Sequence, residues 1–229
     1  ARYRGMKSAV ICPDYSEASK FGDIWLSVKQ GTDSALAMAM GHVILKEYHV
    51  ARPVPYFRDY VRQYTDMPML VRLARQGGTL VPERFVRASD FGGGLGEANN
   101  PDWKTVAFDE ISGNVVVPKG TIGFRWGESG KWNLEEKASG GDATKLRLSL
   151  ADIKDEMVEV SFPYFGNIEH EHFASTNHAS ILKRRVPVKK LKLADGETLV
   201  ASVHDLLLAN YGVDRGFGGE NVAGSLDDD

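Results

Sequence analysis

Lys7-Ser8-Ala9-Val10-Ile11-Cys12-Pro13-Asp14-Tyr15, followed by Asp23-Ile24-Trp25-Leu26-Ser27-Val28 and Gln30-Gly31-Thr32-Asp33, is the stretch whose reading decides the fold class. Its first half is a short apolar run stopped by Pro13, without the alternation of a half-exposed strand, so it reads as a buried parallel strand. Pro13-Asp14-Tyr15 makes a turn, Ser16 to Phe21 a short helix ending at Gly22, and Asp23 to Val28 a second strand. After the Gln30-Gly31-Thr32-Asp33 turn, Leu36, Met40, Val43 and Ile44 recur at helical spacing, which predicts a helix from Ser34 to about Tyr48. Thr32 or Asp33 is its natural N-cap, since either side-chain oxygen can accept an orphan amide. A β-α-β-α order in 48 residues opens a doubly wound, Rossmann-like α/β layer.

Beyond this layer, Tyr56 to Tyr64 reads as a helix with Tyr56, Tyr60, Val61 and Tyr64 on one face, ended by Met67-Pro68, and Met69 to Leu73 as a strand. Residues 76 to 142 change character. Glycines cluster at Gly77-Gly78, Gly92-Gly93-Gly94 and Gly140-Gly141, and short apolar runs stand at Thr105 to Phe108, Val115 to Val117 and Ile122 to Trp126. This pattern is an inserted β-rich meander rather than a continuation of a parallel sheet. Strands are expected at Lys145 to Leu150 and Met157 to Phe162. A pair at Val186 to Leu193 and Thr198 to Ala201, turning at Ala194-Asp195-Gly196-Glu197, then leads into a helix from Val203 to Tyr211. The expected division is an α/β cofactor-binding portion at 1–73, a loop- and strand-rich insertion at 74–150, and an α/β continuation at 151–229.

The 229 residues are enough to bury a core without staples, and 42% hydrophobic with 26% charged residues excludes wholesale disorder. The net charge of −3 argues against nucleic-acid binding and against a polybasic membrane surface. A single cysteine, Cys12, excludes a disulfide framework or a Cys-rich cluster site within this sequence. No run reaches the roughly 20 apolar residues that span a bilayer. The sequence opens at Ala1 without methionine and closes on Asp227-Asp228-Asp229 outside any expected element. An internal piece of something longer is the expectation.

Ligands of open α/β sheets gather beyond the carboxyl ends of the strands, where loops and helix N-termini offer unpaired amides. The turns at Cys12 to Ser16 and Gln30 to Asp33 occupy such positions, and an Asp there can accept two hydrogen bonds from a guanine edge or from ribose hydroxyls. By pattern alone Asp33 reads as a simple helix cap and Pro13-Asp14 as a common turn dipeptide. Gly92-Gly93-Gly94-Leu95-Gly96-Glu97 lacks the Lys-Ser/Thr ending of a phosphate loop and reads as a surface loop. Glu169-His170-Glu171-His172, with His178, has no helical i, i+4 His pair and reads as an exposed loop rather than a metal site. His42, His49 and His204 fall in or beside helices as packed or solvated residues, and Cys12 as an inert core thiol. Lys183-Arg184-Arg185 and Lys189-Lys190 read as a solvated basic face.

Several long motifs resemble the catalytic alpha subunits of respiratory nitrate reductases within the molybdopterin oxidoreductases. They are Gly31-Thr32-Asp33-Ser34-Ala35-Leu36 leading to His42-Val43, Tyr64-Thr65-Asp66-Met67-Pro68-Met69-Leu70-Val71, Asn99-Asn100-Pro101-Asp102-Trp103-Lys104-Thr105-Val106-Ala107-Phe108, and Gly123-Phe124-Arg125-Trp126-Gly127-Glu128. The resemblance runs nearly end to end and departs mainly at 74–96 and 137–185. It implies a molybdenum centre held by two molybdopterin guanine dinucleotides, with a metal-ligating Asp and a 4Fe-4S cluster whose residues precede this segment. It implies guanine-dinucleotide contacts at Pro13, Asp14, Tyr15, Gly31, Thr32 and Asp33, with no catalytic or metal-ligating residue in this stretch. It also implies nitrate and nitrite as substrate and product, an iron–sulfur beta subunit, a membrane gamma subunit, and a parent complex on the cytoplasmic face of the cell membrane. A nitrite oxidoreductase or another molybdenum oxyanion enzyme is the alternative within the class, and a free-standing nucleotide-binding or scaffold module the alternative outside it.

Overall fold

A computed structural model describes residues 2–76, 78–97, 100–119, 136–138, 140–162 and 183–217. The contacts divide the chain into two units, Ala1–Ile44 and Leu45–Asp229. The expected strand at Ile122 to Trp126, the Glu169 to His172 run with His178, and the last twelve residues lie outside the described residues.

In the first unit, β1 (Ala9–Ile11) and β2 (Ile24–Leu26) pair in parallel, with Ala9 opposite Ile24 and Ile11 opposite Leu26. The parallel reading of Lys7 to Cys12 is therefore correct. The buried part of it is not met within this chain, because Ile11, Ile24, Trp25 and Leu26 all keep substantial exposed surface. The expected helix at Ser16 to Phe21 shortens to a single 3₁₀ turn, Ser19–Phe21. Gly22 follows it in an extended conformation, packed so closely that a Cβ there would stand 2.7 Å from Val10 Cγ2. Helix α1 (Asp33–Ile44) starts where the sequence places it.

The second unit opens with a helical stretch of wide, π-type turns, Leu45–Ala51, followed by α2 (Pro55–Tyr64) with Pro55 at its first turn. Its centre is a closed barrel of five strands: β3 (Leu70–Gln76), β4 (Thr79–Phe85), β7 (Glu156–Ser161), β8 (Lys183–Leu193) and β9 (Gly196–Ser202). All neighbours are antiparallel except β4 and β7, which meet in parallel at Leu80 and Val160. Pro82 is tolerated in β4 beside a register shift between Val71 and Leu73. A short antiparallel pair, β5 (Ala107–Phe108) and β6 (Val115–Val116), lies between β4 and β7 in the chain, and α3 (Val203–Asn210) follows β9 directly.

The described sheets are thus mixed, and β3 pairs antiparallel with both β4 and β9. The barrel core follows the two-residue period of its strands. Leu70 and Val200 join one cluster with Val86, Val106 and Phe108, whereas Val71 and Ala201 join another with Val160, Val186, Val188 and Leu206 of α3.

The expected strand at Lys145 to Leu150 is corrected. It makes only an isolated bridge between Leu146 and Asp109. Arg147 N donates to Phe108 O at 2.8 Å, but the amides at the two ends go to carboxylates, Lys145 N to Asp109 Oδ1 at 2.8 Å and Leu150 N to Asp205 Oδ2 at 2.7 Å, so the pairing does not extend into a strand.

Candidate functional site

The two turns singled out in the sequence leave the same end of the parallel pair. Cys12 N donates to Leu26 O at 3.2 Å, and Ser27 Oγ donates to Pro13 O at 3.1 Å, tying the chain after β1 to the chain after β2. The first turn is held from several sides. Asp14 O accepts from Cys12 Sγ at 2.9 Å, Ser16 N at 2.9 Å and Ser19 Oγ at 3.2 Å. Trp25 Nε1 donates to Cys12 O at 3.1 Å, and the Tyr15 ring meets Trp25 edge-on with centroids 5.1 Å apart. These bonds consume backbone atoms and leave Pro13, Asp14 and Tyr15 exposed at the strand ends.

In the second turn Gly31 has φ +79°, a left-handed conformation that favours glycine. Thr32 is the residue whose carbonyl starts α1, accepting from Ala35 N and Leu36 N at 3.0 and 3.2 Å. Its hydroxyl turns backward to donate to Lys29 O at 2.6 Å. Asp33 stands exposed in the first turn of α1, where the helix end favours a carboxylate. All six sequence-predicted residues therefore lie on two exposed turns at one sheet end. Cys12 is half-buried with its sulfur 3.0 Å from Ser19 Oγ, a turn residue rather than a core thiol.

Other motifs resolve into structure. The glycine-rich run after Phe91 is anchored by Asp90, which accepts from Arg84 through both oxygens at 2.8 Å and from Arg87 N at 2.9 Å. Burial pulls the Asp90 carboxyl upward, but these bonds outweigh it and hold the group below its ordinary value. The basic run on β8 meets an acidic β7: Lys183 pairs with Glu159, Lys189 with Asp155 and Lys190 with Glu156, at 3.3, 2.8 and 3.5 Å, while Arg184 is buried. It is therefore not a free cationic face. Among the described residues no group of three or more His, Cys, Asp or Glu is placed to hold a metal, and no helix is long and apolar enough to cross a membrane.

The second unit also holds a cavity of about 190 Å³ that pattern reading did not find. His49, Arg58, Arg62, Glu110, Arg147 and His204 line it, with residues from four separate parts of the sequence. Burial lowers the pKa of His49 and takes that of His204 down to about 4, where the Arg215, His49 and Arg58 charges add to the burial and Asp205 opposes it. Both rings are therefore neutral at pH 7. The helical placement of these histidines was visible in the sequence; their meeting, with ring centroids 5.9 Å apart, was not.

No family model matches the chain. By sequence it is similar to nitrate reductase alpha chains over nearly its whole length. It is 58% identical to respiratory nitrate reductase 2 alpha chain of Escherichia coli over 224 residues, covering 97% of this chain. It is 53% identical to the respiratory nitrate reductase 1 alpha chain of the same organism over 229 residues, and 44% identical to the nitrate reductase alpha chain of Bacillus subtilis over 231 residues. The chain belongs to the nitrate reductase alpha-chain family. It spans 18% of the length of each of these relatives.

Proposed function

We propose that this chain is a segment of the catalytic alpha subunit of a respiratory nitrate reductase, an enzyme that reduces nitrate to nitrite, and that it contributes contacts to one of two molybdopterin guanine dinucleotides. The observation that carries the reading is the tie between the two turns, Ser27 Oγ to Pro13 O, which keeps Asp14 and Asp33 at one end of a parallel strand pair. That end is where open α/β sheets take nucleotides.

The donor set fits the group. Exposed carboxylates accept hydrogen bonds, which suits the N–H edge of a guanine or the hydroxyls of a ribose and opposes direct contact with a diphosphate. The amides of the first turn of α1 supply the complementary attraction for anionic oxygen. Tyr15, steadied edge-on by Trp25, offers an aromatic wall on the same side. When bound, the molybdenum centre supplies oxygen-atom transfer, with its Asp ligand and the 4Fe-4S cluster contributed from outside this chain. The residues here bind and orient.

The exposed apolar side chains of both strands support a larger frame. Successive residues of β2 point to opposite faces, and Ile24, Trp25 and Leu26 are all at least 39% exposed. Both faces of this pair carry exposed apolar side chains among the described residues, which suits a doubly wound layer whose remaining strands and helices are provided by the rest of the subunit. The same reading places the parent with an iron–sulfur beta subunit and a membrane gamma subunit on the cytoplasmic face of the membrane.

The test is Asp33→Ala in the intact enzyme, with molybdenum and guanine released from purified protein as the readout and Asp33→Asn as the conservative comparison. Reduced cofactor content in the alanine variant, with the polypeptide still assembled, is expected. Unchanged content removes Asp33 from the contact set.

A further inference from the structure

We infer that the cavity lined by His49, Arg58, Arg147 and His204 is a binding site for a small oxyanion. Its volume of about 190 Å³ lies below the roughly 300 Å³ at which pockets begin to hold drug-sized ligands, so a nucleotide is excluded and a single compact anion with some of its water fits. The charge of the lining selects the sign. Three arginines stand against two carboxylates. Glu110 is already taken by Arg62 at 3.2 Å and by Lys145 at 2.7 Å, and Asp152 is largely in solvent, 3.9 Å from Arg147. Arg62 is itself committed, donating to Leu146 O at 2.9 Å as well. Arg58 makes no hydrogen bond or ion pair with any described side chain, and Arg147 has only the long contact to Asp152. Guanidinium forks of this kind match the oxygens of an oxyanion.

Both histidine rings of the lining are neutral, so the arginines carry its positive charge. A metal cation is disfavoured by the arginines, and a neutral ligand would leave their charge uncompensated.

The low basicity of His204 comes first from its burial. The groups that face it are Asp205, Arg215, His49 and Arg58, and all but Asp205 oppose its protonation. With its pKa at about 4 the ring stays neutral near and above pH 6, so anion affinity does not depend on its titration there.

The experiment measures binding of radiolabelled inorganic sulfate, by equilibrium dialysis, to the intact polypeptide that contains this chain. Wild type is compared with Arg58→Gln and Arg147→Gln at about pH 6 and about pH 8. The expected result is a saturable site that weakens about tenfold or more in each variant, with wild-type affinity alike at the two pH values. Arg58 is exposed, so its variant keeps the test valid if Arg147→Gln lowers the melting midpoint. Equal sulfate affinity in wild type and Arg58→Gln overturns the assignment, and so does the absence of saturable binding at millimolar sulfate.

Discussion

Asp205→Ala is expected to cost more than any other single substitution of a polar residue in the second unit. The carboxylate is fully buried and collects four donors: Ser149 Oγ and Leu150 N at 2.7 Å, Ser202 Oγ at 2.9 Å and Arg215 Nη1 at 2.6 Å. It joins three places far apart in sequence, namely the 149–150 turn, the corner between β9 and α3, and the chain after α3. Alanine removes the acceptor and leaves a largely buried guanidinium and a buried amide unpaired. Breaking a buried ion pair costs about 3–5 kcal/mol. With a urea slope of about 3 kcal/mol/M, the upper end of the usual range, the unfolding midpoint falls by about 1–1.7 M. Asp205→Asn preserves the shape but turns an amide donor against donors, and about 2–3 kcal/mol is expected. Equilibrium urea unfolding followed by far-UV circular dichroism measures both. The double variant Asp205→Ala/Arg215→Met should lose less than the two singles together, by about 1–3 kcal/mol, because the guanidinium no longer needs its partner. A midpoint shift below about 0.3 M for Asp205→Ala, with an unchanged slope, would refute the reasoning.

His204 gives the chain a pH dependence whose sign follows from its lowered basicity. Between about pH 4 and its ordinary value of 6.5 the unfolded chain binds the proton and the folded one does not, so stability rises with pH across this window and falls on acidification. The full span is about 3 kcal/mol, and urea midpoints from pH 4.5 to 7 should flatten in His204→Gln. Leu70→Ala opens a cavity in a fully buried cluster with Val86, Val106 and Val200, and about 3 kcal/mol of lost stability is expected by the same urea assay, whereas Leu70→Met should lose less than half of that.

Much of the secondary structure was legible because its signals are local. Pro13 and Pro68 stop runs, Gly31 marks a turn at positive φ, Pro55 begins α2 at a helix start, and Ala194-Asp195 turns the β8–β9 hairpin. Lys145 to Leu150 was not legible as irregular structure, because its apolar alternation is that of a strand. What withdraws it from a sheet is a pair of carboxylates, Asp109 and Asp205, standing 36 and 55 residues away from the amides they accept. The strand β4 was hidden for a different reason. Pro82 and the flanking glycines carry a loop signature, which the register shift beside Val71 accommodates.

The candidate turns were legible for the same local reason, since strand, turn and helix start are each written within a few residues. The anion cavity was not, because His49, Arg58, Arg147 and His204 have unremarkable neighbours in sequence and become a site only when a helical stretch, α2, an irregular segment and α3 converge.

The parallel β1–β2 pair, the helix starting at Asp33, the β8–β9 hairpin and kinship with nitrate reductase alpha chains can all be read along the chain, because each is set by short-range sterics, periodicity or long shared motifs. Tertiary structure alone decided the closure of five strands into a barrel, the neutralisation of the β8 lysines by β7 and the neutral state of His204. Those outcomes depend on which distant strands pair and on what burial and charge surround a side chain, and no residue carries that information alone.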